Sequence, residues 1–304
     1  MDATSKGPVP AAKWADRIRI FSGSPAQAVE MTPEELAQPL PDPYRVIDLE
    51  KTDEESAAIG EIVAAVNDLR RLFCGYGPLA IAEERVHILS EEEFHAKIAP
   101  SRFQGKSRFG HVYLWRGWPL SDLMALLAHE LMHDVSYLWI DFWAPGAVSA
   151  DGVRWPPFVE RRQGMVLIDP SYGTWLPHFH GLNECVTETS AVLVRKMAAG
   201  RTRLLDAAGR ERLAKFVTSE PLLAFTDALI AASAGPGGDT VAAWTALFRD
   251  NLAGTGEFLR LLDARLPGAT EVLRATGARP TELLPAAEKL GLESAATLIR
   301  LYCR

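Results

Sequence analysis

Cysteine is scarce in this chain. Its 304 residues include three, Cys74, Cys185 and Cys303, which are far apart and form no CxxC pair. That spacing excludes both a disulfide framework and a cysteine-built zinc knuckle, and it fits a reducing compartment. A basic excess is missing too: 32 Lys and Arg against 39 Asp and Glu leave a formal net charge of -7. No sequence-wide positive field draws phosphate backbones, so nucleic acid is not expected as a partner. Long apolar runs are also absent. The most apolar stretch, 120–143, is interrupted by Asp122, His129, Glu130, His133, Asp134 and Asp141, which is too polar for a lipid-facing span. The N-terminal segment has charges where an export signal needs a continuous apolar core. The expectation is a cytoplasmic protein that does not engage a membrane. With 48% hydrophobic and 23% charged residues the composition is that of a folded chain rather than a disordered one.

Along the chain, 1–13 is small, polar and Pro-containing and predicts a flexible N-terminal arm. The stretch 22–43 carries five prolines and predicts an irregular connection with a short helix over 33–37. Strands are expected at 44–49, 85–89 and 109–115. Ile59, Ile62, Val63, Val66, Leu69, Leu72 and Phe73 recur at helical spacing, which predicts a helix over 53–73 ended by Gly75. Ser90-Glu91-Glu92-Glu93 has the pattern of a helix start. A helix is predicted over 121–140 with Ser121 as N-cap; apolar residues cover nearly its whole circumference, so it should be buried. Residues 144–181 form a long Pro-, Gly- and aromatic-rich excursion with one strand at 165–168, and connections of that length are often functional. Helix returns over 182–199, closed by Gly200. From 201 to 304 the patterns are helical, separated by breaks at 234–238 and 266–268. No internal repeat or low-complexity tract is visible.

The chemistry concentrates in His129-Glu130-Leu131-Met132-His133. Helical residues four apart lie on one face about 6 Å apart along the axis, so both imidazoles can point at one ion about 2 Å from each. Glu130 is rotated roughly 100° from His129, an awkward ligand but well placed to reach a water on the open side of such an ion. With zinc lowering the pKa of its water to near 7, Glu130 becomes the expected general base for attack on a carbonyl. The bland alternative is a chance string. Burying a Glu between two His in an apolar helix costs several kcal/mol without compensation, on the order of other lone buried polar groups, and a metal supplies that compensation.

Two histidines do not complete a catalytic zinc site. The pattern HExxHxxGxxH is excluded by inspection, because Ser136 stands at its glycine position and Trp139 at its third histidine. Downstream, 181–188 opens a helix with Glu184 and Glu188 one turn apart, able to face the same place. Taken alone, such a pair suits a solvated helix face. His178 and His180 are further candidates for the third ligand. With Asn183-Glu184 and Glu188 following the HExxH helix, the chain resembles the gluzincin metallopeptidases, the thermolysin-like and related aminopeptidase-like group. The resemblance implies His129, His133 and Glu184 as zinc ligands, Glu130 as base, and Glu188 as a second-shell carboxylate orienting a ligand imidazole. That group usually has Asp where this chain has Glu188. It also implies a zincin-like metallopeptidase domain over 14–200, with a small mixed sheet and the HExxH helix; with the helical patterns after it, the expected fold is α+β, followed by an all-helical C-terminal part over 201–304.

A peptidase of this type needs a second donor for the oxyanion, and Tyr172, His178 and His180 are the nearest in sequence. Tyr172 sits in a turn-like Asp-Pro-Ser-Tyr-Gly, and a His beside aromatics is commonly packed or exposed. Tyr137 could pack beneath the metal, and Arg161 and Arg162 could bind a substrate carboxylate. Trp115, Trp118, Trp139, Trp143, Trp155 and Trp175 read as core or cleft lining, and Cys185 as a small buried residue. The expected activity is hydrolysis of a peptide bond in a peptide or protein substrate, with Zn2+ as cofactor. Two other functions use the same residues: a non-haem Fe(II) oxygenase built on two His and one carboxylate, and a non-catalytic binding protein with a vestigial site.

Overall fold

The computed structural model describes residues 17–21, 28–31, 44–75, 77–79, 81–99, 104–108, 110–136, 138–143, 158–163, 165–168 and 177–303. The arm expected at 1–13 and the short helix expected at 33–37 lie outside the described residues.

Helix α1 (Asp53–Cys74) starts at Thr52, whose hydroxyl accepts from the Glu55 N–H while the Glu55 carboxylate accepts from the Thr52 N–H, a complete capping box. It ends at Gly75 in the left-handed conformation, φ 68. Ile59, Ile62, Val66 and Leu69 are buried, each stabilising the fold by about 1.5–3 kcal/mol before entropy is counted. Leu72 departs from the expected apolar face and is 71% exposed.

Strand β3 (Val86–Leu89) runs parallel to β5 (His111–Trp115), and β4 (Gly105–Arg108) runs antiparallel to β5, giving a mixed sheet in the order β3-β5-β4. The expected strand at 44–49 does not form. Leu49 N–H reaches the Ile88 carbonyl (2.8 Å), but Ile47 N–H is taken by the Glu93 carboxylate (2.9 Å), so no ladder develops. Helix α2 (Glu91–Lys97) is capped by the Ser90 hydroxyl, which accepts from Glu93 N–H. Because side chains alternate along a strand, β5 sends Leu114 to one face and Tyr113 to the other. Tyr113 packs with Leu89, Phe94, Ile98 and Ala99 into a buried cluster. The Leu114 face receives α3 (Leu120–Asp134), which also packs on α1.

Helix α3 is buried nearly all round, as its composition requires. Its limits differ from expectation. Pro119 holds the N-cap position and Ser121 lies inside the helix, with its hydroxyl on the Asp122 carboxylate (3.2 Å). The helix stops at Asp134, and the last residues expected to be helical begin a strand, β6 (Leu138–Trp143). The run Leu-Trp-Ile-Asp-Phe-Trp is aromatic and β-branched, and two strands flank it: β1 (Arg17–Phe21) in parallel and β7 (Phe158–Gln163) antiparallel. With β2 (Ala28–Met31), β8 (Val166–Ile168) and β9 (Pro177–His178) these form a sheet in the order β2-β1-β6-β7-β8-β9. The connection read as irregular over 22–43 therefore contains β2, and the excursion 144–181 contains β7 and β9 besides the strand expected at 165–168, which is β8.

The remainder is helical: α4 (His180–Ala199), α5 (Ala207–Lys215), α6 (Glu220–Ala234), α7 (Thr240–Ala253), α8 (Glu257–Arg265), α9 (Ala269–Arg274), α10 (Pro280–Lys289) and α11 (Glu293–Tyr302). The helical C-terminal part and its breaks at Gly235 and Gly268 follow the sequence pattern, and the fold is of mixed α+β content. Two compact units emerge. One groups α1, β3, α2, β4, β5, α3, the second half of α4 from Ser190, and α5; the other groups β1, β2, β6 to β9, the first half of α4 and α6 to α11. No helix among the described residues is long and apolar enough to cross a membrane.

Candidate metal centre

Helix α3 holds its motif residues by burying everything around them. Leu126, Leu127, Ala128, Leu131 and Met132 are buried, leaving His129 and His133 half-buried on one face. Their rings meet edge to face with centroids 5.0 Å apart, as the one-turn spacing predicts. Glu130 is buried at 9% exposure and lies against β4. A Cβ added at Gly105 would come within 2.9 Å of the Glu130 Cγ and 3.0 Å of its Oε1, so the glycine leaves the space that this side chain occupies.

Helix α4 is one uninterrupted helix. In its second half Arg195 is fully buried, donates from Nη1 to the Ala125 carbonyl on α3 (3.3 Å), and lies over the Phe216 ring at 5.6 Å. In its first half the Asn183 side-chain oxygen accepts from Met165 N–H (2.9 Å), and fully buried Glu188 accepts from both the N–H (2.9 Å) and the hydroxyl (2.5 Å) of Thr218. Cys185 is buried, as the sequence suggested, and its thiol is pushed up to about 12, mainly by burial, so it stays protonated.

One ligand atom each from His129, His133 and Glu184 lie within 4.8 Å of one another, and this is the group among the described residues that could hold a metal ion. Tetrahedral zinc with ligands at about 2.0–2.1 Å needs donor separations of about 3.4 Å, so the three donors would draw closer together on binding it. Two imidazoles and a carboxylate suit zinc, and the same donors suit non-haem iron. The donor set therefore fits the expected cofactor class.

His180, the first residue of α4, has its Nε2 3.7 Å from Glu184 Oε1 with a side chain 46% exposed. His178 lies half-buried on β9, and Glu188 is one turn beyond Glu184 with its carboxylate on Thr218. Tyr172, Tyr137, Trp155 and Trp175 lie outside the described residues, and Arg161 and Arg162 belong to β7. Three residues escaped the sequence reading. Asp134 follows His133, is fully buried, and burial raises its carboxyl to about 7 against the pull of Arg85 and His133; its Oδ1 has no hydrogen-bond partner among the described residues. Gly105, a glycine within a strand, was a usable signal for close approach. Phe179, immediately before α4, is buried with φ 60, a conformation that bulky residues seldom adopt and that nothing in the local sequence announces.

No protein-family model, curated protein or solved structure matches the chain.

Proposed function

We propose that this protein is a zinc-dependent metallohydrolase, acting as a peptidase in the manner of the gluzincins, with His129, His133 and Glu184 as ligands. The observation that carries the reading is the convergence of those three donors from α3 and α4 within 4.8 Å. It is supported by Glu130, a buried carboxylate one residue from the first ligand and held against Gly105. A zincin-like domain is part of the same proposal, resting on α3 packed against the mixed sheet β3-β5-β4 and on a ligand-bearing helix later in the chain.

Zinc, when bound, supplies Lewis acidity and makes a neighbouring water acidic enough to attack at neutral pH. The chain's own residues then divide the work. Glu130 takes the proton of the attacking water on its carboxylate and delivers it to the leaving amine. His180, half-exposed beside Glu184, is the candidate among the described residues for a donor to the developing oxyanion. Glu188, tied to Thr218, steadies the α4 turn that bears Glu184 and stands where the gluzincin pattern has a second-shell carboxylate.

The test is to incubate zinc-loaded wild type and Glu130→Gln with a complex peptide mixture and read new termini by mass spectrometry. New termini with wild type that disappear with Glu130→Gln are expected. Identical peptide patterns with wild type and with no enzyme would remove the peptidase reading.

A further inference from the structure

The first turn of α4 is fastened from outside. Phe179 N–H donates to the Arg274 carbonyl (3.0 Å) and Gly181 N–H donates to the Thr276 carbonyl (2.8 Å), so the two amides bracketing His180 end on the last residue of α9 and on the turn that follows it. Gly181 amide is one of the N-terminal donors that a helix cannot satisfy internally, and the turn satisfies it. The approach is close: a Cβ on Gly181 would stand 2.4 Å from the Gly277 carbonyl oxygen and 2.9 Å from that of Thr276. Both obstacles are backbone and cannot swing aside. Phe179 is held at φ 60 with its side chain buried, a cost that persists only where surrounding structure over-determines the conformation.

The turn itself is stiff. Thr276 hydroxyl donates to the Val272 carbonyl (2.7 Å), and the Glu282 carboxylate accepts from Arg279 N–H (3.0 Å) and from the Arg279 guanidinium. Glu282 folds over Gly277 so closely that a Cβ there would meet its Oε2 at 2.2 Å. Helix ends fray unless their orphan donors are held, and Glu184 lies only one turn inside this end.

We infer that Gly181 and the Arg274–Gly277 turn position Glu184 for metal binding, so that the C-terminal helices act on the metal site as a positioning element. The inference rests on Glu184 being a ligand. By linkage the coupling is reciprocal: if the fastening strengthens metal binding, metal binding strengthens the fastening.

Zinc affinity is measured by competition with a chromophoric chelator for wild type, Gly181→Ala and Glu184→Ala. Gly181→Ala is expected to weaken zinc by about 10- to 100-fold, the range for losing a group that orients a ligand. In wild type, amide exchange over 274–280 is expected to slow on adding zinc, and in Glu184→Ala zinc should leave it unchanged. Wild-type affinity in folded Gly181→Ala overturns the inference. If Gly181→Ala does not fold, exchange over 274–280 in wild type decides, and rates unaltered by bound zinc overturn it. Failure of the ligand reading looks different: Glu184→Ala would then bind zinc as tightly as wild type.

Discussion

Gly105 on β4 stands against Glu130 on α3, with room for hydrogen and no room for a methyl group, which would come within 2.8 Å of the Leu114 Cδ2 and 2.9 Å of the Glu130 Cγ. Gly105→Ala is therefore expected to push the Glu130 carboxylate aside while leaving the three proposed ligands in place. A misplacement on the order of 1 Å can cost about 100-fold in rate, so a fall in kcat of that order at unchanged zinc content is expected. Steady-state kinetics beside elemental analysis checks it; a variant as fast as wild type contradicts the proposed role of the glycine.

Thr218 gives both its N–H and its hydroxyl to the buried carboxylate of Glu188. Thr218→Val keeps the shape and the backbone bond but removes the hydroxyl. Depriving a buried polar group of a partner costs about 1–3 kcal/mol, and urea unfolding of the metal-free protein is expected to show a loss of that size. An unchanged midpoint would mean that Glu188 does not depend on this contact.

Asp134 gives the metal-free protein a pH dependence of definite sign. Burial raises its carboxyl to about 7, with Arg85 and His133 working against the rise. Between the ordinary aspartate range and pH 7 the folded chain keeps a proton that the unfolded chain has released. This contribution to stability is therefore full at low pH and is lost as pH rises through the folded value. The melting temperature is expected to fall between about pH 4 and pH 7, and Asp134→Asn, which stays neutral, should flatten that fall. Equal falls in both proteins would count against a protonated Asp134.

How much the sequence discloses varies with the range of the forces involved. Local signals translated well: Ser90 caps its helix, Gly75 ends α1, and the HExxH spacing brings His129 and His133 together. The end of α3 was not legible, because Leu138–Trp143 is apolar enough to extend a buried helix and becomes a strand through pairing with β1 and β7, residues distant in sequence. Tyr44–Leu49 fails the other way: its pattern suits a strand, but the Glu93 side chain takes an amide that a ladder would need. In the site, Glu184 was reachable through its motif, whereas the fastening of Gly181 by Thr276 depends on backbone geometry nearly a hundred residues away in sequence. Asp134 was visible as a residue, but its burial and raised carboxyl follow from packing that no motif encodes.

The most direct trial of the central claim is elemental analysis of purified wild type beside Glu184→Ala, each incubated with one equivalent of zinc and then desalted. About one zinc per wild-type chain and a small fraction of that in a folded Glu184→Ala protein is the predicted result, given that catalytic zinc takes three protein ligands. Iron in place of zinc would redirect the chemistry toward an oxygenase. Equal zinc in the two proteins, or none in wild type, would contradict a centre formed by His129, His133 and Glu184.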